Sequence, residues 1–118
     1  MPQTRLQAPQ FNDGAVKMKV QILVVPYDSG IRSCRMGKGP EHLLNQGFVS
    51  WIRSAGHEVT TRWIEPQSRA EVATAFEISR LLSEQASEAV EQGCFPLVLS
   101  GNCNASIGTI AGMKLTPE

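Results

Sequence analysis

Covalent chemistry in this chain would fall to Cys103, a cysteine set where a strand gives way to a helix. Around it runs Leu99-Ser100-Gly101-Asn102-Cys103-Asn104-Ala105, an order that suits a nucleophile elbow, the sharp turn on which a cysteine hydrolase presents its thiol. A helix starting just after the turn would lower the thiol pKa, because free backbone amides favour the thiolate. Such a nucleophile also needs a base. The two histidines are His42, in a predicted helix, and His57, at the start of a predicted strand and so at the end opposite the turn. Neither has a route to Cys103 that the sequence shows. The plain alternative is a small cysteine packed into the turn.

A second chemical candidate is the loop from Pro26 to Pro40, which carries Arg32, Arg35 and Lys38 among Gly30, Gly37 and Gly39. It fails as a phosphate loop. Six residues separate Gly30 from Gly37 where a P-loop has four, and Gly39 stands where a Ser or Thr should meet magnesium. A third glycine before the helix, needed for a dinucleotide fingerprint, is also missing. What remains is a basic loop able to meet an anion or simply water. Cys34 and Cys94 have no histidine at metal-ligand spacing, and no CxxC pair marks a structural zinc site.

Both candidates must be positioned by regular elements, and the chain signals these clearly. Met18–Val25 contains KVQILVV, a β-branched run of the kind found in strands covered on both faces. Pro40 after Gly39 suits a helix start, and Gly56 suits its left-handed end. Between them Leu44, Phe48, Trp51 or Ile52, and Ala55 predict one amphipathic helix. HEVTTRWI, residues 57–64, reads as a second strand nearer an edge. Ser68 and Glu71 then form the sequence pattern of a capping box. The helix it opens is predicted to bury Val72, Ala75, Phe76, Ser79, Leu82, Ala86, Ala89 and Val90, to expose its glutamates and to end at Gly93. Phe95–Ser100 is a third strand, Gly101–Asn104 a tight turn, and Ala105–Met113 the start of a further helix. Trp51, Trp63, Phe48 and Phe76 are expected at the helix–sheet interface.

Strand and helix alternate three times, which predicts a parallel sheet with right-handed crossovers, the first strand central and the others flanking it. The third strand is left with an uncovered edge on which another chain could pair. Residues 1–17 hold Pro2, Pro9 and Gly14 without periodicity and are expected to form a flexible arm; Met18 is an alternative start.

Composition narrows the classes of function. The 118 residues suit one domain, and eleven basic residues balance eleven acidic ones, so no overall field draws nucleic acid or an anionic membrane. Residues 1–62 nevertheless hold eight basic and four acidic residues, and residues 63–118 three and seven, giving halves of plus four and minus four. That split reflects either which faces meet water or an attraction between the ends of two copies. With no long apolar run and no signal-like start, the expected location is the cytoplasm, where three scattered cysteines stay reduced.

VVPYDSGIRSCRMGKGPEHLL after the first strand and PLVLSGNCNASIGTIAG around the third resemble the arginase and agmatinase (ureohydrolase) family. The likeness runs in order over about residues 18–113. It implies a three-layer α/β sandwich with a parallel sheet, of which residues 18–118 supply the N-terminal part, the first three βα units. It further implies, for the parent family, hydrolysis of a guanidinium or amidine carbon–nitrogen bond by a paired manganese centre. There, two divalent ions sharing a water lower its pKa. In the family's Gly-Gly-Asp-His-Ser motif this chain has Ser100, Gly101, Asn102, Cys103 and Asn104. Cys103 thus takes the position of the first histidine ligand, and Asn102 that of the aspartate beside it. A thiolate suits zinc better than manganese. The family's later ligand groups, Asp-x-His-x-Asp and Asp-x-Asp, do not occur before Glu118. The resemblance therefore implies a small guanidino or amidino partner and manganese for the parent family, with neither metal binding nor activity expected of this chain by itself. Catalytic and substrate-binding residues stay unassigned. Set beside this reading are a non-catalytic interaction module, a homo-oligomer or another chain joined at the third-strand edge, and the cysteine hydrolase built on Cys103.

Overall fold

The computed structural model describes residues 17–113. The expected arm, residues 1–17, lies outside them apart from Lys17. Among the described residues are five strands and four α-helices: β1 Lys19–Val25, β2 Tyr27–Asp28, β3 Ile31–Arg32, α1 Gly39–Asn45, α2 Phe48–Ser54, β4 Glu58–Trp63, α3 Glu71–Glu91, β5 Phe95–Ser100 and α4 Ala105–Met113.

The main sheet has the order β4-β1-β5, all parallel, with Val20 opposite Val59 on one side and Leu23 opposite Val98 on the other. Ile22, Leu23 and Val24 of the central strand are wholly buried. Period-two alternation sends the strand side chains into two cores. Leu23 and Val25 join Ile64, Ile78, Leu82, Ala86 and Ala105, with Val98 packed against them. Val20, Ile22, Val24, Val59 and Leu99 form the other, covered by Leu44, Phe48, Val49, Ile52 and Trp63. Helices therefore lie on both faces, giving the expected three-layer α/β sandwich. Burial of this order contributes about 1.5–3 kcal/mol for each large apolar side chain.

Several local expectations are corrected. The helix predicted across residues 40–56 is two helices, because Gly47 adopts φ 92° and its amide closes on the Leu44 carbonyl, ending α1 before α2 begins. Ile52, not Trp51, reaches the core. Gly56 takes the left-handed conformation expected of it, at φ 93°, and Gly93, expected to end the next long helix, does so at φ 75°.

No capping box forms at α3. The helix begins two residues later than a cap at Ser68 would set it, with Ala70 at its N-cap and no side-chain cap there. The carboxylate of Glu77 instead accepts hydrogen bonds from the Gln67 amide (3.0 Å) and the Ser68 amide (2.9 Å), while Thr74 Oγ1 donates to the Ser68 carbonyl. These bonds hold the Glu77 pKa below its ordinary value, the two backbone amides being the chief cause and the Arg80 charge a lesser one. The buried face of α3 is Thr74, Ile78, Leu82, Ala86 and Ala89, rotated from the predicted one, so Val72 and Val90 are exposed and Phe76 is 74% exposed.

Candidate functional site

Ligands of open α/β sheets gather beyond the carboxyl ends of the strands. Here that end is built from two segments that the sequence separates widely, the loop after β1 and the turn after β5. The loop is more ordered than expected. Tyr27–Asp28 and Ile31–Arg32 form a short antiparallel hairpin, followed by a 3-10 turn over Arg35–Lys38. Ser29, Ser33 and Arg35 hold φ values of 56°, 49° and 48°, a left-handed conformation that an L-residue with a Cβ adopts at a cost of about 1 kcal/mol or more.

Surrounding bonds hold this conformation in place. The Ser33 amide donates to the Pro26 carbonyl at 2.7 Å, and Arg35 Nε lies 2.9 Å from Asp28 Oδ2. Asn102 Nδ2 donates to Asp28 Oδ1 (3.0 Å) and to Ser29 Oγ (2.9 Å), and Asn104 Nδ2 donates to the same Ser29 oxygen (2.9 Å). Ser29 Oγ thereby uses both of its acceptor positions. Gly101 sits where only glycine fits: a Cβ there would run into the Tyr27 carbonyl and come 2.8 Å from Gly37 Cα. Two loops are interlocked through backbone and side chain alike.

Cys103 lies in this turn and is exposed. Its carbonyl accepts hydrogen bonds from the amide and hydroxyl of Ser106 at the start of α4. Among the described residues no hydrogen bond joins it to a histidine. The ring of His57 accepts from the Met18 amide at the amino end of the sheet, a strand length of roughly 20 Å away at about 3.3 Å per residue. Of the three basic loop residues, Arg35 is paired to Asp28, and Arg32 lies 5.9 Å from the centroid of the Tyr27 ring. Cys34 and Cys94 are half-buried, and Cys94 lines an open depression of about 500 Å³ with Lys17 and Lys19 at the other end of the sheet.

A manganese pair needs several hard donors converging on each ion. Among the described residues no three His, Cys, Asp or Glu side chains are grouped so as to hold one. Asp28, the acid nearest the turn, already accepts from Arg35 and Asn102, and the Asn102 amide is a donor where a ligand should accept. These residues do not fit the two-metal centre that the resemblance implies. The sequence singles out Arg35, Asn102, Cys103 and Asn104 but gives no role to their companions Asp28 and Ser29. The one available signal was the turn-forming Asp-Ser-Gly after β1.

The three-layer α/β sandwich is an arginase-like fold, N-terminal portion only, as likeness to solved structures shows. Two crystal structures of arginase from Bacillus subtilis match it. One is 24% identical with a TM-score of 0.66, over 80% of this chain and 32% of that one. The other, from Bacillus subtilis subsp. subtilis str. 168, is 22% identical with a TM-score of 0.72, over 82% of this chain and 35% of that one. The chain thus spans about a third of the length of the arginases it matches, and what they share is the fold. No family model and no curated protein sequence matches.

Proposed function

We propose that this chain is the N-terminal part of a ureohydrolase-like domain whose parent activity is hydrolysis of a guanidinium or amidine carbon–nitrogen bond, and that by itself it neither holds the metal pair nor turns over. The fold match supports the first half of the reading. The second rests on one observation, the engagement of Asn102 with Asp28 and Ser29 at the place where the resemblance calls for a metal ligand. Cys103 then marks a ligand position without the partners that would make it a site. The parent's substrate is a small guanidino or amidino compound and its compartment the cytoplasm; among the described residues no helix is long and apolar enough to cross a membrane.

The test is direct. The full chain is incubated with manganese, freed of unbound metal by gel filtration and assayed for retained metal and for urea or ammonia release from a panel of guanidines and amidines. Substoichiometric metal and no release are expected. Stoichiometric manganese with turnover would sink the reading. Rapid alkylation of Cys103 at pH 6, ahead of Cys34, would favour the cysteine hydrolase instead, since the thiolate is the reactive species.

A further inference from the structure

In the loop after β1, the strained residues are the ones whose side chains hold it. Ser29, at φ 56°, accepts at Oγ from the side-chain amides of both Asn102 and Asn104, and Arg35, at φ 48°, sets its Nε 2.9 Å from Asp28 Oδ2. Asp28 joins the two. Its other oxygen, Oδ1, accepts from Asn102 Nδ2 at 3.0 Å, so both oxygens of a carboxylate that is only 16% exposed face donors. The hairpin tip has one more support, Gly30, which lies against the Glu71 carbonyl at the start of α3.

What stands at position 102 decides whether this arrangement closes. An ionised carboxylate can only accept, so the group that faces Asp28 must be a donor, and the two N–H bonds of the Asn102 amide serve Asp28 and Ser29 together. An aspartate there, the residue that the family motif calls for, would place a carboxylate oxygen across the same 3.0 Å from Asp28 Oδ1. Two such oxygens so close need a proton or a cation between them. The amide needs neither.

We infer that Asn102 closes the carboxyl end of this sheet without a metal, doing as a donor for Asp28 and Ser29 what a bound cation would otherwise have to do. The inference deepens the reading above, of a chain that holds no metal pair. It makes the departure from the family motif a working part of the fold: the left-handed backbone of the loop after β1 depends on an amide at position 102. Putting the aspartate back loosens that loop.

Hydrogen exchange of the full chain, read by mass spectrometry at neutral pH, tests this through the segment carrying the Ser33 amide, which donates to the Pro26 carbonyl. The wild-type segment should exchange at one rate in EDTA and in excess manganese. In EDTA, Asn102→Asp should speed exchange by about tenfold or more, and beyond Asn102→Ala, because repulsion is added to the loss of a bond to a charged group. Reversing the pair, Asp28→Asn with Asn102→Asp, sets an amide against a carboxylate again and should restore protection to well above that of Asn102→Asp alone. A wild-type loop that loses protection in EDTA would overturn the inference. So would an Asn102→Asp variant that exchanges like wild type, or a reversed pair no better protected than that variant. Should Asn102→Asp fail to fold by circular dichroism, the reversed pair must regain the fold, and its failure to do so counts against the inference as well. All these readouts concern the loop, whereas retained metal and urea release test the proposed function, so either can fail while the other stands.

Discussion

The two outer strands of the sheet are finished in different ways. β4 turns Glu58, Thr60, Thr61 and Arg62 to solvent, and its links to the rest of the molecule include Arg62 with Glu88 (2.9 Å) and Glu58 with Lys17 (3.2 Å), both about half exposed. β5 carries no charge and leads into a turn locked by close backbone approach at Gly101 and by the Asn102 amide. One edge relies on groups that water can replace, the other on contacts that water cannot. The difference teaches where the architecture is rigid and where it tolerates change: exposed ion pairs contribute about 0–1 kcal/mol, whereas displaced backbone and unsatisfied polar groups cost more.

Gly101→Ala should be the most damaging change. The added methyl meets the Tyr27 carbonyl and the Gly37 backbone, neither of which can swing aside, so a loss of about 3 kcal/mol or more is expected in urea unfolding. A wild-type midpoint for this variant would show that the turn is free to move and would break the comparison.

Asn102→Ala comes next. It removes the donor to Asp28 and Ser29 and should cost about 1–3 kcal/mol by the same measurement. Protection of the loop amides, above all Ser33, should fall with it in hydrogen exchange, because the left-handed residues of that loop lose their restraint. Unchanged exchange would mean that Gly101 alone holds the loop.

Glu77→Gln tests the segment that leaves β4. The wild-type carboxylate has its pKa lowered in the folded state, so its contribution is present above the ordinary value of 4.5 and is lost as pH falls through the lowered folded value. The variant should therefore melt below wild type at pH 7, with the gap closing as the pH is brought below 4.5 towards 3. A gap that widened in acid would contradict the assigned role. Smallest of all should be Arg62→Ala at the β4 edge, within about 0.5 kcal/mol of wild type and less in high salt.

Much of the fold was legible in the chain itself. The β-branched run of β1, the helix-ending glycines at Gly56 and Gly93, and the strand-turn-helix from Phe95 to Met113 are local features, decided by backbone sterics and short-range patterning, and they stand where expected. Alternation of strand and helix then sufficed for the β4-β1-β5 order, because right-handed crossovers leave few choices.

Other features were settled only by the tertiary structure. The apolar pattern of α3 predicts a face with Val72, Phe76 and Val90, whereas the face packed on the sheet holds Thr74, Ile78, Leu82, Ala86 and Ala89, with the Thr74 hydroxyl bonded to the Ser68 carbonyl and Phe76 left in water. The segment leading into α3 is held by Glu77, nine residues beyond Ser68, where a pattern reading only three residues ahead does not reach. Asp28 and Asn102 lie 74 positions apart, and no local rule joins them. Residue types at Cys103 and Asn102 were enough to suggest chemistry. Whether donors converge is a matter of where distant loops come to rest, and here they rest against one another, with the amide of Asn102 given to Asp28 and Ser29.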